Sequence, residues 1–120
     1  MDKDTNIDWK VYGIYLLITL LVMWAGVGNA QIVVTEFNAE WNVANKVEWL
    51  DKLSDCDIAK VDITKEVKLQ QKHKIVIVPT IIIFKDGEEI KRFQADLSFK
   101  MLATRKELQN IINEQIMSDF

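Results

Sequence analysis

The stretch VPTIIIFKDGE, which runs from Val78 to Glu88, decides the fold. Its centre, Thr80 to Phe84, is rich in β-branched residues and predicts a strand. The tetrapeptide KDGE that follows predicts a hairpin turn, because Asp-Gly supplies the positive φ that a tight turn needs. A second strand is therefore expected from Glu89 to Phe93. Pro79, the one proline of the chain, stands directly before the first of these strands.

Towards the N-terminus, two further strands flank one helix. Ile32 to Phe37 is rich in β-branched residues and predicts a strand buried on both faces. Ile58 to Ile63 predicts the next strand. Between them, Val43 to Leu53 predicts an amphipathic helix, because its apolar residues recur on one side. That side carries Val43, Val47, Leu50 and Leu53.

Two more helices complete the pattern. Glu66 to Lys72 predicts a short helix, and Thr104 to Met117 predicts the last one. Thr104 lies three residues before Glu107, which is the spacing of a capping box. The buried stripe of this last helix is formed by Leu108, Ile111, Ile112 and Ile116. The order βαβαββα predicts an α/β sandwich in which helices cover a four-stranded mixed sheet.

Composition excludes several classes of protein. The chain has 120 residues, of which 49% are hydrophobic and 28% charged, so it is neither disordered nor collagen-like. One cysteine excludes an internal disulfide framework, and with one histidine it also excludes a metal site rich in these ligands. A net charge of -3 argues against a surface for nucleic acid. We therefore expect no metal, no cofactor and no nucleic-acid partner.

The chain begins with an apolar segment. Residues 11–27, VYGIYLLITLLVMWAGV, are apolar around every face of a helix and lie at the lower limit for spanning a bilayer. Gly28 and Ala30 fit a small-x-small cleavage site, but Asp2, Asp4 and Asp8 depart from the positive charge that usually opens a signal peptide. Three interpretations stay open: a cleaved secretory signal, an uncleaved signal anchor, and a buried helix of a cytosolic domain.

The first two interpretations divide the chain in the same way. Residues 1–30 are then a signal peptide or signal anchor that forms an apolar helix, and residues 31–120 are the folded domain. Both place that domain outside the cytoplasm, as a periplasmic or secreted protein. Contact with a membrane is expected only through residues 11–27, and only if they are not cleaved.

Two separated segments resemble the thioredoxin family. Residues 37–46, FNAEWNVANK, are similar to the active-site segment in which Ala-Glu-Trp precedes Cys-x-x-Cys-Lys. The Val43-Ala44 pair resembles most the thioredoxin-like domain of transmembrane disulfide-reducing transporters. Residues 78–88 resemble the family's cis-proline strand and turn, with Pro79 at the proline position. The resemblance covers roughly residues 31–117 and implies a thioredoxin-like α/β sandwich.

The departures from the family motif bear on function. Asn42 and Asn45 stand where the resemblance places the nucleophilic and the resolving cysteine. A carboxamide cannot be oxidised to a disulfide, so thiol chemistry at these positions is excluded. Glu36 corresponds to the family's buried acid, which then has no thiol to serve. These departures therefore favour a redox-inactive protein over an enzyme, and both interpretations stay open.

The remaining site residues have competing interpretations. Asn42 is expected to cap the helix by accepting the N–H of Ala44 or Asn45, and the alternative is contact with a ligand. Trp41 either packs over the helix start or contacts a partner. In the family the cis-proline loop pairs with an extended peptide. The resemblance thus implies a groove that binds a polypeptide or protein partner, formed by Trp41, Asn42, Val78, Pro79 and Thr80.

Three features outside the motif complete the analysis. Cys56 is expected to be an inert loop thiol, because flanking carboxylates raise its pKa. The alternative function is that of a relative of thiol-disulfide oxidoreductases, acting in cell redox homeostasis through Cys56 or with a partner's thiols. His73 is expected at the solvated surface. The edge of the strand at Ile58 to Ile63 is expected to be bare, with Lys60 and Asp62 discouraging edge pairing, although a partner strand or a second copy could dock there.

Overall fold

The structure is a computed structural model in which residues 31–118 are described. The predicted signal segment, residues 1–30, and its apolar helix lie outside the described residues. Between residues 31 and 118, no helix has the length and apolar character needed to cross a membrane.

Four strands form one mixed sheet, as predicted. They are β1 (Ile32–Asn38), β2 (Asp57–Asp62), β3 (Thr80–Lys85) and β4 (Glu88–Gln94), in the order β2-β1-β3-β4. β1 pairs in parallel with β2 and antiparallel with β3, and β3 pairs antiparallel with β4. β2 is thus an edge strand of the sheet formed by the described residues.

The hairpin turn and the capping box of the C-terminal half are confirmed. The turn between β3 and β4 has positive φ at both central residues, 53° at Asp86 and 85° at Gly87. The last helix, α2 (Arg105–Met117), follows the shorter α1 (Val67–Lys72). Thr104 and Glu107 form the capping box, in which each side chain accepts the other residue's backbone N–H, at 3.2 and 3.1 Å. Local sequence was enough here because every partner lies within three residues.

The predicted amphipathic helix at residues 43–53 is wrong. Two 3-10 helices, Glu40–Asn45 and Leu50–Lys52, stand in its place, and the backbone at Lys46 is extended. The Val47 N–H, which an α-helix would direct to the Val43 carbonyl, instead donates to Glu36 Oε2 at 2.9 Å. The buried Glu36 carboxyl on β1 thus accepts the N–H that would have continued the helix.

The core has one apolar layer on each face of the sheet, because β1 and β3 are buried on both faces. One layer packs beneath α2 and the 3-10 helices and includes Val34, Val47, Leu50, Ile81, Ile83, Leu108 and Ile112. The other packs beneath α1 and includes Val33, Phe37, Val61, Leu69, Ile82 and Phe84. Val43, expected in the core, is instead 60% exposed because the helix that would have turned it inward does not form.

The expectation for His73 is also wrong. Its ring lies half-buried against Phe37 and Phe84, with ring centroids 5.4 and 5.3 Å away. Burial, followed by the charge of Lys72, lowers the pKa of the imidazole. The two neighbouring lysines in the sequence suggested solvent, but the end of α1 turns this side chain onto the sheet.

Candidate functional site

The candidate site lies at one end of the sheet. β1 ends there at Asn38 and β3 begins there at Thr80, because the two strands are antiparallel and Phe37 pairs with Thr80. Asn38 is the last residue of β1 and Pro79 directly precedes β3. The two residues therefore lie at the same end of this strand pair. The Val78–Pro79 peptide bond is cis. The fold thus brings the two segments singled out in the sequence, residues 37–46 and residues 78–88, together at this end of the sheet.

Asn42 is the centre of a buried hydrogen-bond network. The residue is only 4% exposed. Its Nδ2 donates to Asn38 Oδ1 at 3.1 Å and to the Phe99 carbonyl at 3.2 Å. Its Oδ1 accepts from Asn45 Nδ2 at 2.8 Å. Both amide hydrogens and the amide oxygen of Asn42 are therefore satisfied, as burial of a carboxamide requires.

The predicted helix-capping role of Asn42 is wrong. The residue before the first 3-10 helix is Ala39, which has no side-chain cap, and Asn42 itself lies within the helix. The Asn42 oxygen binds the Asn45 side chain instead of a backbone N–H. The side chain turns inward because acceptors at Asn38 and Phe99 are available there.

Phe99 is a site residue that sequence reasoning missed. Its ring meets the Trp41 ring edge to face, with centroids 5.2 Å apart and planes at 88°. Phe99 is 39% exposed and Trp41 is 62% exposed, so together they present an aromatic surface. Phe99 has a positive φ of 64°, and the Asn42 bond to its carbonyl holds the loop in place. The only sequence signal for Phe99 is that an aromatic residue stands in a loop that shows no apolar periodicity.

The three residues around the proline contribute backbone rather than side chains to this edge. Val78, Pro79 and Thr80 are buried, and the Thr80 hydroxyl donates to the Ile77 carbonyl at 2.7 Å. The Pro79 carbonyl accepts from the Ala95 N–H at 3.0 Å. The Val78 N–H and carbonyl form no hydrogen bond with residues 31–118. Of these three residues, Val78 thus has the backbone without a hydrogen bond, and the residue is 3% exposed.

Glu36 is a buried carboxyl on β1 that lines a cleft beside the network. It is 4% exposed and accepts the Val47 N–H. Burial raises the pKa of Glu36, while the Val47 hydrogen bond and the charge of Lys60 oppose the rise. The cleft has a volume of about 520 Å³ and opens between the first 3-10 helix and β2.

This pKa shift gives a prediction for stability. Because the folded-state pKa of Glu36 is raised above its ordinary value of 4.5, ionisation of Glu36 destabilises the fold as the pH rises through that raised pKa. We expect Glu36→Gln, which keeps an acceptor for the Val47 N–H, to increase the free energy of unfolding at pH 7.5. The increase should vanish well below pH 4.5, where wild-type Glu36 is protonated in both states. Urea unfolding in the two pH ranges measures it, and an equal effect in both would contradict the shift.

Cys56 lies away from the network. It directly precedes β2, and the parallel register places that end of β2 beside Val33, at the start of β1. The thiol is half-buried, and burial, followed by Asp57 and Asp55, raises the pKa of Cys56 to about 11. The predicted direction is confirmed, with burial as the larger cause. A thiol with this pKa is a poor nucleophile at neutral pH.

This end of the sheet brings together several kinds of polar and aromatic group. It offers carboxamides, aromatic rings, an unpaired backbone and one buried carboxyl. In the range 31–118, no three side chains of His, Cys, Asp or Glu come together in a group that could hold a metal ion. The described edge presents no thiol and no hydroxyl that could act as a nucleophile next to a base.

Comparison with known proteins identifies relatives of this fold. The thioredoxin family model matches residues 25–107. The chloroplastic thioredoxin Y1 of Arabidopsis thaliana is 42% identical over 50 residues, which are 42% of this chain and 29% of that protein. This chain thus matches less than a third of that relative's length.

Solved structures agree with the family match. Thioredoxin NaTrxh from Nicotiana alata superposes with a TM-score of 0.63 at 20% identity, covering 86% of this chain and 84% of that one. Thioredoxin from Fasciola hepatica gives a TM-score of 0.52 at 29% identity, covering 70% of this chain and 80% of that one. The first of these, at its low identity, supports the fold alone.

Proposed function

Because the chain belongs to the thioredoxin family, we propose that it is a redox-inactive member that binds an extended polypeptide at the edge formed by Trp41, Phe99 and Val78. The family fold is retained from β1 to α2. The family's thiols are not, since Asn42 and Asn45 occupy the positions that resemble the two cysteines.

The observation that carries the proposal is the exposed aromatic pair, which follows the end of β1 at the same end of the sheet as the Val78 backbone. The Trp41 ring is 62% exposed and forms a continuous aromatic surface with Phe99, and such a surface is typical of an interaction site. Phe99 holds this ring edge to face, so it is positioned before a partner arrives. An extended segment could pair with the Val78 backbone and lay a side chain on the ring pair, as in strand addition.

The network of asparagines supports this role by fixing the two segments that carry the aromatic pair. Asn42 joins the loop of Phe99 to the helix that carries Trp41, because its Nδ2 donates to the Phe99 carbonyl. The same atom donates to Asn38, at the end of β1. Holding these parts together before binding lowers the entropy that a partner must overcome.

We expect Trp41→Ala to weaken binding of an unfolded polypeptide by about tenfold or more, because exposed aromatic anchors dominate such contacts. Reduced, carboxymethylated α-lactalbumin serves as the probe, with isothermal titration calorimetry of the full chain as the measurement. Met117→Ala is the matched control, since Met117 is also apolar and exposed but lies at the end of α2. No binding by the wild type, or equal loss in both variants, would contradict the proposal.

The alternative, thiol exchange through Cys56 or with a partner's thiols, has weaker support. Its support is the family itself, whose relatives are named thioredoxins. Against it stand the half-buried Cys56 thiol, with a pKa of about 11, and its place at the opposite end of β1.

We further propose that residues 1–30 export the domain and either leave it soluble or hold it at a membrane. The support is the uncharged apolar stretch at residues 11–27. Sequencing the N-terminus of the mature protein separates the cleaved form, which begins at Gln31, from an uncleaved one, which begins at Met1; recovery of the uncleaved form in the membrane fraction would identify an anchor.

A further inference from the structure

The cleft next to Glu36 is a second concave site, distinct from the groove proposed above. Trp41, Asn42 and Asn45 do not line it, whereas Glu40, Val43 and Lys46 of the same segment do. The 3-10 helix therefore turns one face to the groove and another to the cleft. At about 520 Å³, the cleft is large enough for a small organic group.

The cleft combines apolar walls with an excess of negative charge. Its apolar wall is formed by Ala39, Val43, Val47 and Val61. Five acidic residues and two lysines also line it, namely Glu36, Glu40, Glu48, Asp51, Asp62, Lys46 and Lys60. The Lys60 ammonium is already paired with Asp51, at 3.1 Å. The charge that remains favours a cation with an aliphatic body.

Glu36 supplies a specific contact at the base of the cleft. The side chain belongs to a residue whose relative exposure is only 4%. Its Oε2 accepts from the Val47 N–H. Its Oε1 forms no hydrogen bond with residues 31–118, yet it is not among the atoms sealed from solvent. This second oxygen therefore meets solvent in the cleft, where a donor could reach it.

We propose that the cleft binds an alkylammonium group, with the ammonium donating to Glu36 Oε1 and the methylenes lying along Val43, Val47 and Val61. A charged donor forms the stronger class of hydrogen bond to a carboxylate. A straight alkyl chain can also bury its methylenes while its charge stays paired. The group could belong to a free diamine or to a lysine side chain of a polypeptide.

Burial of the Glu36 carboxyl makes a bound cation favourable, because the ionised form lacks part of its hydration. Desolvation raises the pKa of Glu36, and the Val47 hydrogen bond, followed by the charges of Lys60 and Lys46, only partly opposes this rise. An ammonium in contact with Oε1 would offset the desolvation of the ionised carboxylate. This interaction needs neither Trp41 nor the Val78 backbone, so the proposal goes beyond the polypeptide groove.

The test is calorimetric titration of the full chain, at low ionic strength and pH 7.5, with three probes. They are 1,5-diaminopentane, Nα-acetyl-lysine N-methylamide and the uncharged 1-pentanol. We expect at least one amine to bind at one site and pentanol not to bind. Binding of the diamine alone indicates a free amine, and binding of the lysine amide indicates a polypeptide side chain. No binding by either amine, or equal binding of pentanol, would overturn the proposal.

Matched variants locate the bound amine. We expect Glu36→Gln to weaken amine binding about tenfold or more, because a hydrogen bond between charged groups is lost. Glu114→Gln removes the same charge from exposed α2 and should leave the affinity unchanged. If Glu36→Gln does not fold, Val43→Lys at a 60% exposed position provides the second variant and should also weaken binding. Equal effects of Glu36→Gln and Glu114→Gln would refute the assignment, as would Val43→Lys binding like the wild type.

A further variant separates this site from the polypeptide groove. Trp41→Ala should bind the amine as the wild type does, because Trp41 does not line the cleft. Failure of the groove therefore leaves the amine result standing, and failure of the cleft leaves the groove untouched. Loss of amine binding in Trp41→Ala would show that the two sites are one and would contradict the proposal.

Discussion

Replacing both carboxamides, as Asn42→Cys/Asn45→Cys, is expected to turn a chain that does not reduce insulin into one that does. The unmodified chain should give no turnover above the rate of dithiothreitol alone. The two side chains already face each other, since Asn45 Nδ2 and Asn42 Oδ1 are 2.8 Å apart. Two thiols at these positions could therefore form and break a disulfide.

The two new thiols would reduce an insulin disulfide in two successive exchange steps. The thiolate introduced by Asn42→Cys would attack an insulin disulfide, form a mixed disulfide and release one insulin thiol. The thiol introduced by Asn45→Cys would then displace the other insulin sulfur and leave an intramolecular disulfide, which dithiothreitol reduces. The wild-type carboxamides can perform neither displacement.

Insulin precipitation followed by turbidity measures the activity, with the single variant Asn45→Cys as the control. The single variant lacks the attacking thiol and should not cycle. Turnover by the unmodified chain would contradict the redox-inactive assignment. The double variant could also form its disulfide and yet fail to reduce insulin. That result would contradict the expectation that restoring the two cysteines is sufficient for activity.

Asn42→Ala is expected to lower the free energy of unfolding by about 2–3 kcal/mol. A net hydrogen bond contributes about 1 kcal/mol, and three bonds of the Asn42 side chain are lost. The loss also leaves the Asn38 oxygen and the Phe99 carbonyl without this donor in a partly buried place. Urea denaturation at pH 7.5 gives the difference, provided that the slope with denaturant is unchanged.

The matched control for this prediction is Asn45→Ala. Asn45 is half-exposed and makes one of the three bonds, so the expected loss is about 1 kcal/mol or less. Equal losses in the two variants would show that the network does not stabilise the fold through Asn42. A loss below about 0.5 kcal/mol for Asn42→Ala would have the same meaning.

Most elements of this fold could be predicted because their causes are local. The hairpin at Asp86 and Gly87 follows from dihedral preference, and the capping box of Thr104 follows from a three-residue spacing. The burial of β1 on both faces follows from a segment rich in β-branched residues that shows no alternation of apolar and polar positions. Each of these needs only the residues of one short segment.

The failed predictions share a different cause. The helix expected at residues 43–53 is interrupted because Glu36, on another element, takes the Val47 N–H. The lysine neighbours of His73 predict solvent, but its ring packs on Phe37 and Phe84, which lie on strands outside its own segment. Periodicity within a segment contains no information about such partners.

The sequence by itself determined the family, the succession of strands along the chain and the absence of sulfur at positions 42 and 45, because identity and short-range pattern suffice for these. Only the tertiary structure decided what the carboxamides do. Asn42 bonds to Phe99, a residue 57 positions away, because chain folding brings a loop carbonyl to a buried amide that must be satisfied. The same folding sets Phe99 against Trp41 and leaves the second oxygen of Glu36 facing a cleft, since contacts between distant segments depend on how the layers pack.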